Sequence, residues 1–410
     1  MKILILTSVY PEPDDNNEVV TPTVKYFAEK WKELENDVCV IHNNSCFPIF
    51  FYFIPNNLRK KIASKIGFTL PTFSSRKKLA RKEKGIDIFR LPMFKLIPHR
   101  KFFNWQIERQ TDKIVEIIEE KNFKPDIIVG HWINPQIDLL INLSKIYKTK
   151  TSLVFHNDCS LKNIRQFNLV EKIIKLDAIG CRNKSDAILV KERLGLKKLP
   201  FVCYSGVPDE QIKKQKDFFK ENINLIKKKS FLYVGRLVKY KNVDTILKAL
   251  SQAYPKKDFL LNIVGTGAEK ENLMKLSEEL GIENNVIFHG QLNREDVFNM
   301  MRDTYCFTMV SDNETFGMVY IEAMLAGCIT IASKLGGVDG VISTGINGFL
   351  SKQADVDELT NIYKNLEQMK EDEIEKIRNN AMKTAFGFSD SMVSKKYLED
   401  ILNWKDNIEN

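Results

Sequence analysis

An α/β fold built from two parallel-sheet domains is predicted by three observations. The chain has 410 residues, enough for two or three domains at roughly 100–200 residues each. Short apolar runs alternate with longer amphipathic stretches, the pattern of strands joined by crossover helices. The alternation pauses at a charged stretch, Pro208–Ser230, and then begins again.

In the first half, Ile3–Ser8 reads as a buried strand. Pro22–Leu34 reads as a helix, with Thr21 as its N-cap and Pro22 at its first position. Further strands are expected at Val38–Ile41, Asp126–Val129, Ser152–Phe155, Ala187–Val190 and Phe201–Tyr204. Strand–helix–strand from the first residues suggests a Rossmann-like half. After the linker, strands are expected at Phe231–Val234, Leu260–Val264, Val286–Phe288, Tyr305–Met309 and Cys328–Ile331. Helices are expected at Val243–Ala249, Ala268–Leu280 and Arg294–Met301. The domains are therefore read as 1–207, with a basic, aromatic insertion at 45–105, a linker at 208–229, and a second Rossmann-like domain at 230–386. Residues 387–410 read as a C-terminal helix able to cross back to the first domain. Ligands of such sheets sit beyond the carboxyl ends of the strands, in a cleft.

Composition narrows the class. Hydrophobic residues make up 43% and charged residues 28%, which supplies a core and excludes disorder throughout. Seven scattered cysteines without Cys-x-x-Cys exclude a disulfide scaffold and suit a reducing compartment. The net charge is +9, and Arg59–Lys84 alone holds ten basic residues against one acid, Glu83. That segment carries the whole excess, so a uniformly basic nucleic-acid binder is not expected. The run Ile3–Leu6 is too short for a signal peptide. Cys46–Ile54, interrupted by Pro48, is too short to span a bilayer that needs about 20 residues. The expected location is cytoplasmic, peripheral at the inner face of the membrane.

The chemistry concentrates in the second half. In Asp312-Asn-Glu-Thr-Phe-Gly-Met-Val-Tyr-Ile-Glu-Ala-Met-Leu-Ala-Gly327 a polar loop leads into a helix starting near Gly317. Open N–H groups at about Gly317–Tyr320 and the helix dipole suit a phosphate. Glu314 precedes the helix and Glu322 sits more than a turn inside it, so the two can address different parts of one extended ligand. In Val234-Gly-Arg-Leu-Val-Lys-Tyr-Lys-Asn-Val243, Arg236 and Lys241 follow a strand end, where cations suit a diphosphate. Each alone is more simply a solvated charge. Ile263-Val-Gly-Thr-Gly-Ala-Glu269 is half a dinucleotide fingerprint that fails at Lys270, and alone reads as a tight turn. Asp355-Val-Asp357 lies in a charged, helix-like stretch and reads as surface, so no metal site is expected.

Together these pieces resemble the retaining glycosyltransferases of family 4, with the GT-B fold. Their Glu-x7-Glu motif matches Glu314-Thr-Phe-Gly-Met-Val-Tyr-Ile-Glu322, followed by Ala323-Met324 and Ala326-Gly327. Gly235–Asn242, Gly265-Thr-Gly267, Phe288-His-Gly290, Gly336-Gly337 and Gly345-Ile-Asn-Gly348 fall in family order over about 120 residues. The resemblance implies that Arg236 and Lys241 bind the donor diphosphate and Glu322 the ribose hydroxyls, with Glu314 beside the donor sugar. It implies that Thr315, Phe316, Gly317, Met318 and Val319 hold phosphate and sugar. Gly265, Gly267, His289, Gly290 and Gln291 would lie along the nucleotide, the last three near the base.

The first half matches more loosely. Ser152-Leu-Val-Phe-His-Asn-Asp158 resembles the family element whose histidine faces the donor sugar, which makes His156 the catalytic candidate with Glu314. His131, after Asp126-Ile-Ile-Val-Gly, is the weaker one. Pro11–Glu18 replaces the usual glycine-rich turn, and Ser205-Gly206-Val207 stands where members carry Asn-Gly-Val.

The implied reaction is metal-independent, hexosyltransferase-type transfer from a UDP- or GDP-linked sugar to a glycan or lipid-linked acceptor, with retention and without a cofactor. Bacterial-type cell-surface polysaccharide synthesis is the expected setting. No nucleophile is evident, which favours same-face attack over a covalent intermediate. A sugar-nucleotide epimerase of the same fold is the alternative. In the basic segment, Pro55–Phe68 reads as an amphipathic helix after the aromatic run Phe50–Phe53. Arg59, Lys60, Lys61, Lys65, Lys77 and Lys78 are the residues expected to meet the acceptor or an anionic membrane surface.

Overall fold

A computed structural model describes residues 1–13, 21–55, 58, 76–97, 100–156, 161–221, 229–312 and 314–404. The chain divides into two compact units. The first comprises Met1–Arg182, Asp186–Cys203 and Ser394–Asn410, the second Asn183–Ser185 and Tyr204–Val393.

Unit 1 holds strands β1 (Lys2–Thr7), β2 (Asp37–His42), β3 (Ser45–Cys46), β4 (Leu79–Glu83), β5 (Ile86–Arg90), β6 (Met93–Phe94), β7 (Ile127–His131), β8 (Lys150–Phe155), β9 (Ala178–Cys181) and β10 (Phe201–Val202). Eight form one sheet in the order β10-β9-β8-β7-β1-β2-β5-β4, and β3 pairs with β6 apart from it. All pairings are parallel except β4 with β5. The inner strands β1 and β7 are buried along nearly their whole length. That is why they read as unbroken apolar runs rather than as alternation.

Unit 2 holds β11 (Ser230–Val234), β12 (Leu260–Val264), β13 (Val286–Gly290), β14 (Cys306–Met309), β15 (Ile329–Ser333) and β16 (Phe349–Ser351). Their order is β13-β12-β11-β14-β15-β16, parallel throughout. Strand order turns back between β11 and β14, so the loops after these two diverge at a switch point, where ligands of such sheets bind. The fold is thus α/β with two Rossmann-like units.

Several local expectations are corrected. Ala187–Val190 is not a strand but the middle of the helix Lys184–Leu194, and β9 lies upstream. A four-residue apolar run fits either state, and here seven flanking residues complete the helix. Gly180 weakened the strand signal of β9, yet a Cβ there would strike the Phe201 ring on β10. Within the stretch read as linker, Asp209–Glu221 forms a helix that buries Ile212 and Gln215. Pro22, not Thr21, is the N-cap of the helix Thr23–Glu33, and the Thr21 hydroxyl pairs with that of Thr23 at 2.8 Å.

The basic segment is partly spent on internal pairing. Arg81 on β4 pairs with buried Glu12, and Lys84 with Glu29 at 2.8 Å. Lys77 and Lys78 are exposed. Arg59, Lys60, Lys61 and Lys65, with most of the expected helix Pro55–Phe68, lie outside the described residues. Among the described residues no helix is long and apolar enough to cross a membrane, and the six described cysteines are buried.

Candidate active site

In unit 2 the two diverging loops of the switch point are fastened together. The Tyr233 hydroxyl donates to the Arg236 carbonyl at 2.9 Å, shaping the turn after β11. Asn242, at φ +51°, sends its side-chain amide to the Val310 carbonyl at 2.9 Å and to Asp312 Oδ1 at 2.7 Å. The Asp312 N–H returns to the Tyr240 carbonyl at 2.9 Å. These bonds place Lys241, which is buried, against the Glu314 carboxylate. Arg236 remains exposed beside the Tyr240 hydroxyl.

The helix Met318–Leu325 starts at Gly317, which takes φ +78°. A side chain there would collide with the Tyr320 ring. The Tyr320 hydroxyl donates to the Met309 carbonyl at 2.7 Å, which ties the helix to the end of β14. The Tyr320 N–H bonds to the Gly317 carbonyl at 3.0 Å. Among the described residues, the N–H groups of Met318 and Val319 remain as open donors of the first turn. Phe316 is buried, and the Gly336-Gly337 pair has its reason here: a Cβ on Gly337 would meet the Phe316 carbonyl.

Glu322 lies on the second turn of that helix and is held by Arg294. Arg294 Nε and Nη2 both reach Glu322 Oε1, at 2.9 and 2.6 Å. Nothing in the sequence motifs indicated Arg294. It opens the preceding helix, Arg294–Arg302, after the Asn293 cap.

Gly265 and Gly267 follow β12. A Cβ on either would strike the carbonyl of Gly235 or of Leu237, so these glycines let the β12 loop lie flat against the cation-bearing loop. The Leu237 N–H donates to the Thr266 carbonyl at 2.9 Å and the Gly265 N–H to the Gly290 carbonyl at 2.7 Å. His289 closes this row, its Nε2 2.7 Å from Asn262 Oδ1, and Gln291 is exposed. All the donor-side residues singled out by sequence therefore fall in the loops after β11, β12 and β14, at the end of β13, or on the helix Met318–Leu325. Asp355 caps the helix Val356–Gln368, its carboxylate accepting from the Glu358 N–H at 2.9 Å.

In unit 1 the two histidines form one cluster. His131 ends β7 and His156 follows β8. His131 Nδ1 is 2.9 Å from His156 Nε2, and His131 Nε2 is 3.3 Å from the Tyr397 hydroxyl. Burial, then the Arg182 charge, hold the His131 imidazole down to about 3. Burial also holds His156 well below its usual value, followed by His131 and Arg182. Both rings are therefore neutral near pH 7. A neutral His131 carries one ring proton, so it donates to one neighbour and accepts from the other. Trp132, at φ +66°, stacks on His156 with ring centroids 3.9 Å apart. A bulky residue in that backbone region is costly, about 1–2 kcal/mol, and contact with His156 offsets the cost. Sequence spacing could not pair His131 with Tyr397, 266 residues away.

Two Rossmann-like units, one gathering cations and open helix N–H groups at its switch point, form an architecture suited to anionic ligands. Comparison with known proteins points the same way. Residues 213–384 match the family model of glycosyl transferases group 1. Over 144 residues the chain is 35% identical to an uncharacterised glycosyltransferase of Haemophilus influenzae, covering 34% of this chain and 40% of that one. Over 261 residues it is 25% identical to the N-acetyl-alpha-D-glucosaminyl L-malate synthase of Bacillus anthracis, covering 60% and 65%. The chain thus spans less than two thirds of the length of these curated relatives. A solved structure, Anabaena HepE in complex with UDP, has the same fold with a TM-score of 0.64 at 19% identity, over 98% of this chain and 100% of that one. The solved structure shares the GT-B fold with this chain, and the sequence likenesses are to glycosyltransferases.

Proposed function

We propose that this chain is a retaining glycosyltransferase of the family-4 type, moving a sugar from a nucleotide diphosphate donor to a glycan or lipid-linked acceptor. The observation that carries the reading is the switch point of unit 2. There Arg236, Lys241 and the open N–H groups of Met318 and Val319 stand beside two carboxylates of opposite assignment.

In this reading the donor diphosphate takes over Lys241 from Glu314. Arg236 and the helix N–H groups meet the charge that grows on the leaving phosphate, in an arrangement already fixed before the reaction. Glu314, freed from Lys241, turns to the hydroxyls of the donor sugar. Glu322, held by Arg294, accepts from the ribose hydroxyls. The acceptor hydroxyl attacks the anomeric carbon on the face the phosphate leaves. Its proton passes to the departing phosphate oxygen, so configuration is retained without an enzyme nucleophile. For His156 the family resemblance implies a contact with the transferred sugar. With its ring neutral, that contact is a hydrogen bond rather than a charge. Neither a metal nor a resident cofactor is part of the scheme, and bacterial-type surface polysaccharide synthesis at the inner membrane face is its setting.

The experiment is a panel of UDP-, GDP- and ADP-sugars, scoring protection from thermal unfolding and release of nucleotide with a glycan acceptor mixture. Protection by one nucleotide class, with sugar transferred in the donor's anomeric form, is expected. Epimerised free sugar nucleotide without transfer would instead establish the epimerase alternative.

A further inference from the structure

Beyond the carboxyl ends of β2 and β5, the chain continues as the separate parallel pair β3 and β6. Beside this pair runs the helix Asn104–Glu120. Between them lies a hollow of about 590 Å³, lined among others by Cys46, Arg76, Phe94, Trp105, Arg109 and Lys113. That volume lies within the range of small-ligand sites, about 300–1,000 Å³. All of it belongs to unit 1.

The charges here are unusual for this unit. Trp105, Arg109 and Lys113 recur every four residues and so share one helix face. Two cations at that spacing repel each other by about 0.2–0.5 kcal/mol. Among the described residues lining the hollow there is no carboxylate. Among the described residues none of Arg76, Arg109 and Lys113 forms an ion pair, whereas Arg81, Lys84 and Lys121 nearby all do. Lys113 has its ammonium 3.4 Å from Gln110 Oε1. Its pKa is held below the ordinary lysine value by burial and then by the charges of Arg109 and Lys78, which brings a residue of the basic segment into the same cluster. Such a group of cations is stabilised by an incoming anion rather than by the protein.

The rim is apolar. Phe94 is 47% and Trp105 59% exposed, and Leu96, Ile97 and Phe103 are exposed in the connection between β6 and the helix. Of these, Phe94 and Trp105 line the hollow itself, and exposed apolar side chains at an opening mark a binding surface.

We propose that this hollow receives the diphosphate of an acceptor in which a glycan, bearing the attacking hydroxyl, is joined through that diphosphate to a long apolar chain, with the chain lying against Phe94 and Trp105. The proposal rests on the glycosyl-transfer reading for its role, but not for its binding test. The full chain is titrated by calorimetry with farnesyl diphosphate, inorganic pyrophosphate and farnesol. Sedimentation with phosphatidylglycerol vesicles forms a separate arm. Farnesyl diphosphate is expected to bind at least about tenfold more tightly than either fragment, since each lacks one half of the contacts. R109Q/K113Q is expected to weaken it at least about tenfold and W105A at least about threefold, with nucleotide protection of the same variants unchanged. Equal binding of pyrophosphate and farnesyl diphosphate, unchanged affinity in R109Q/K113Q, or vesicle binding without saturable binding of the soluble diphosphate would each overturn the proposal. If farnesyl diphosphate binds as expected while no nucleotide protects, the glycosyl-transfer reading fails and the hollow stands. Nucleotide protection with no farnesyl diphosphate binding sinks the hollow alone.

Discussion

Arg294 grips Glu322 from the neighbouring helix, with Nε and Nη2 both on Oε1 at 2.9 and 2.6 Å. The carboxylate that the Glu-x7-Glu pattern assigns to the ribose is thus oriented before any ligand arrives. Arg294→Ala releases it, so the ribose contact must be organised at the moment of binding. A rise in donor KM of about three- to tenfold is expected, with kcat nearly unchanged. Glu322→Ala is expected to lower kcat/KM by about 100-fold, the scale of losing a preorganised contact. Steady-state kinetics of both variants check this. An Arg294→Ala enzyme with unaltered KM would show that the pair is only a surface bridge.

Lys241 and Glu314 form an ion pair. Lys241→Ala is expected to lower turnover at least about 100-fold. Glu314→Gln removes the anion that competes for Lys241, so UDP or GDP alone is expected to bind about three- to tenfold more tightly, while turnover falls. Calorimetric titration of the bare nucleotide alongside turnover separates the two effects. Weaker nucleotide binding in Glu314→Gln would contradict the exchange of partners.

The glycines of the β12 loop make a clean comparison. In Gly267→Ala the new methyl meets the Leu237 carbonyl backbone, which cannot swing aside. A stability loss of about 1–3 kcal/mol is expected from overpacking, with impaired nucleotide protection because the cation-bearing loop is displaced. Gly290→Ala enters open space but at φ +70°, so a loss nearer about 1 kcal/mol is expected. Urea unfolding of both variants tests the order.

The histidine cluster predicts a pH dependence. The ordinary His131 value of 6.5 is lowered to about 3 in the folded chain, so between these values the unfolded chain binds a proton that the folded chain does not. Stability therefore falls as pH drops below about 6.5, by about 1.4 kcal/mol per pH unit for one full proton. His131→Gln keeps a polar side chain at the site but cannot titrate. Its stability is expected to change less steeply than that of the parent between about pH 6 and 4, measured by urea midpoints across pH. Parallel slopes would mean that His131 does not stay neutral.

The correspondence between sequence and structure is uneven for identifiable reasons. Parallel strands buried on both faces are short apolar runs, so β1, β8, β11 and β12 were readable to within about two residues. Lys184–Leu194 was not, because Ala187–Val190 satisfies both helix and strand patterns. The Gly265, Gly267 and Gly337 positions were readable as a pattern, but their cause, close approach to three different backbone carbonyls, was not.

By itself the sequence determined the α/β alternation, the two halves, and the order of the residues that crowd the carboxyl edge of the second sheet, since local periodicity and turn chemistry encode these directly. The tertiary structure alone decided the partnerships: Lys241 with Glu314, Arg294 with Glu322, His131 with Tyr397. It also decided which of the basic residues are neutralised by acids and which face an open hollow. Partners 28 to 266 residues apart meet only when the strands are laid side by side. Charge in a sequence carries no record of what it will face.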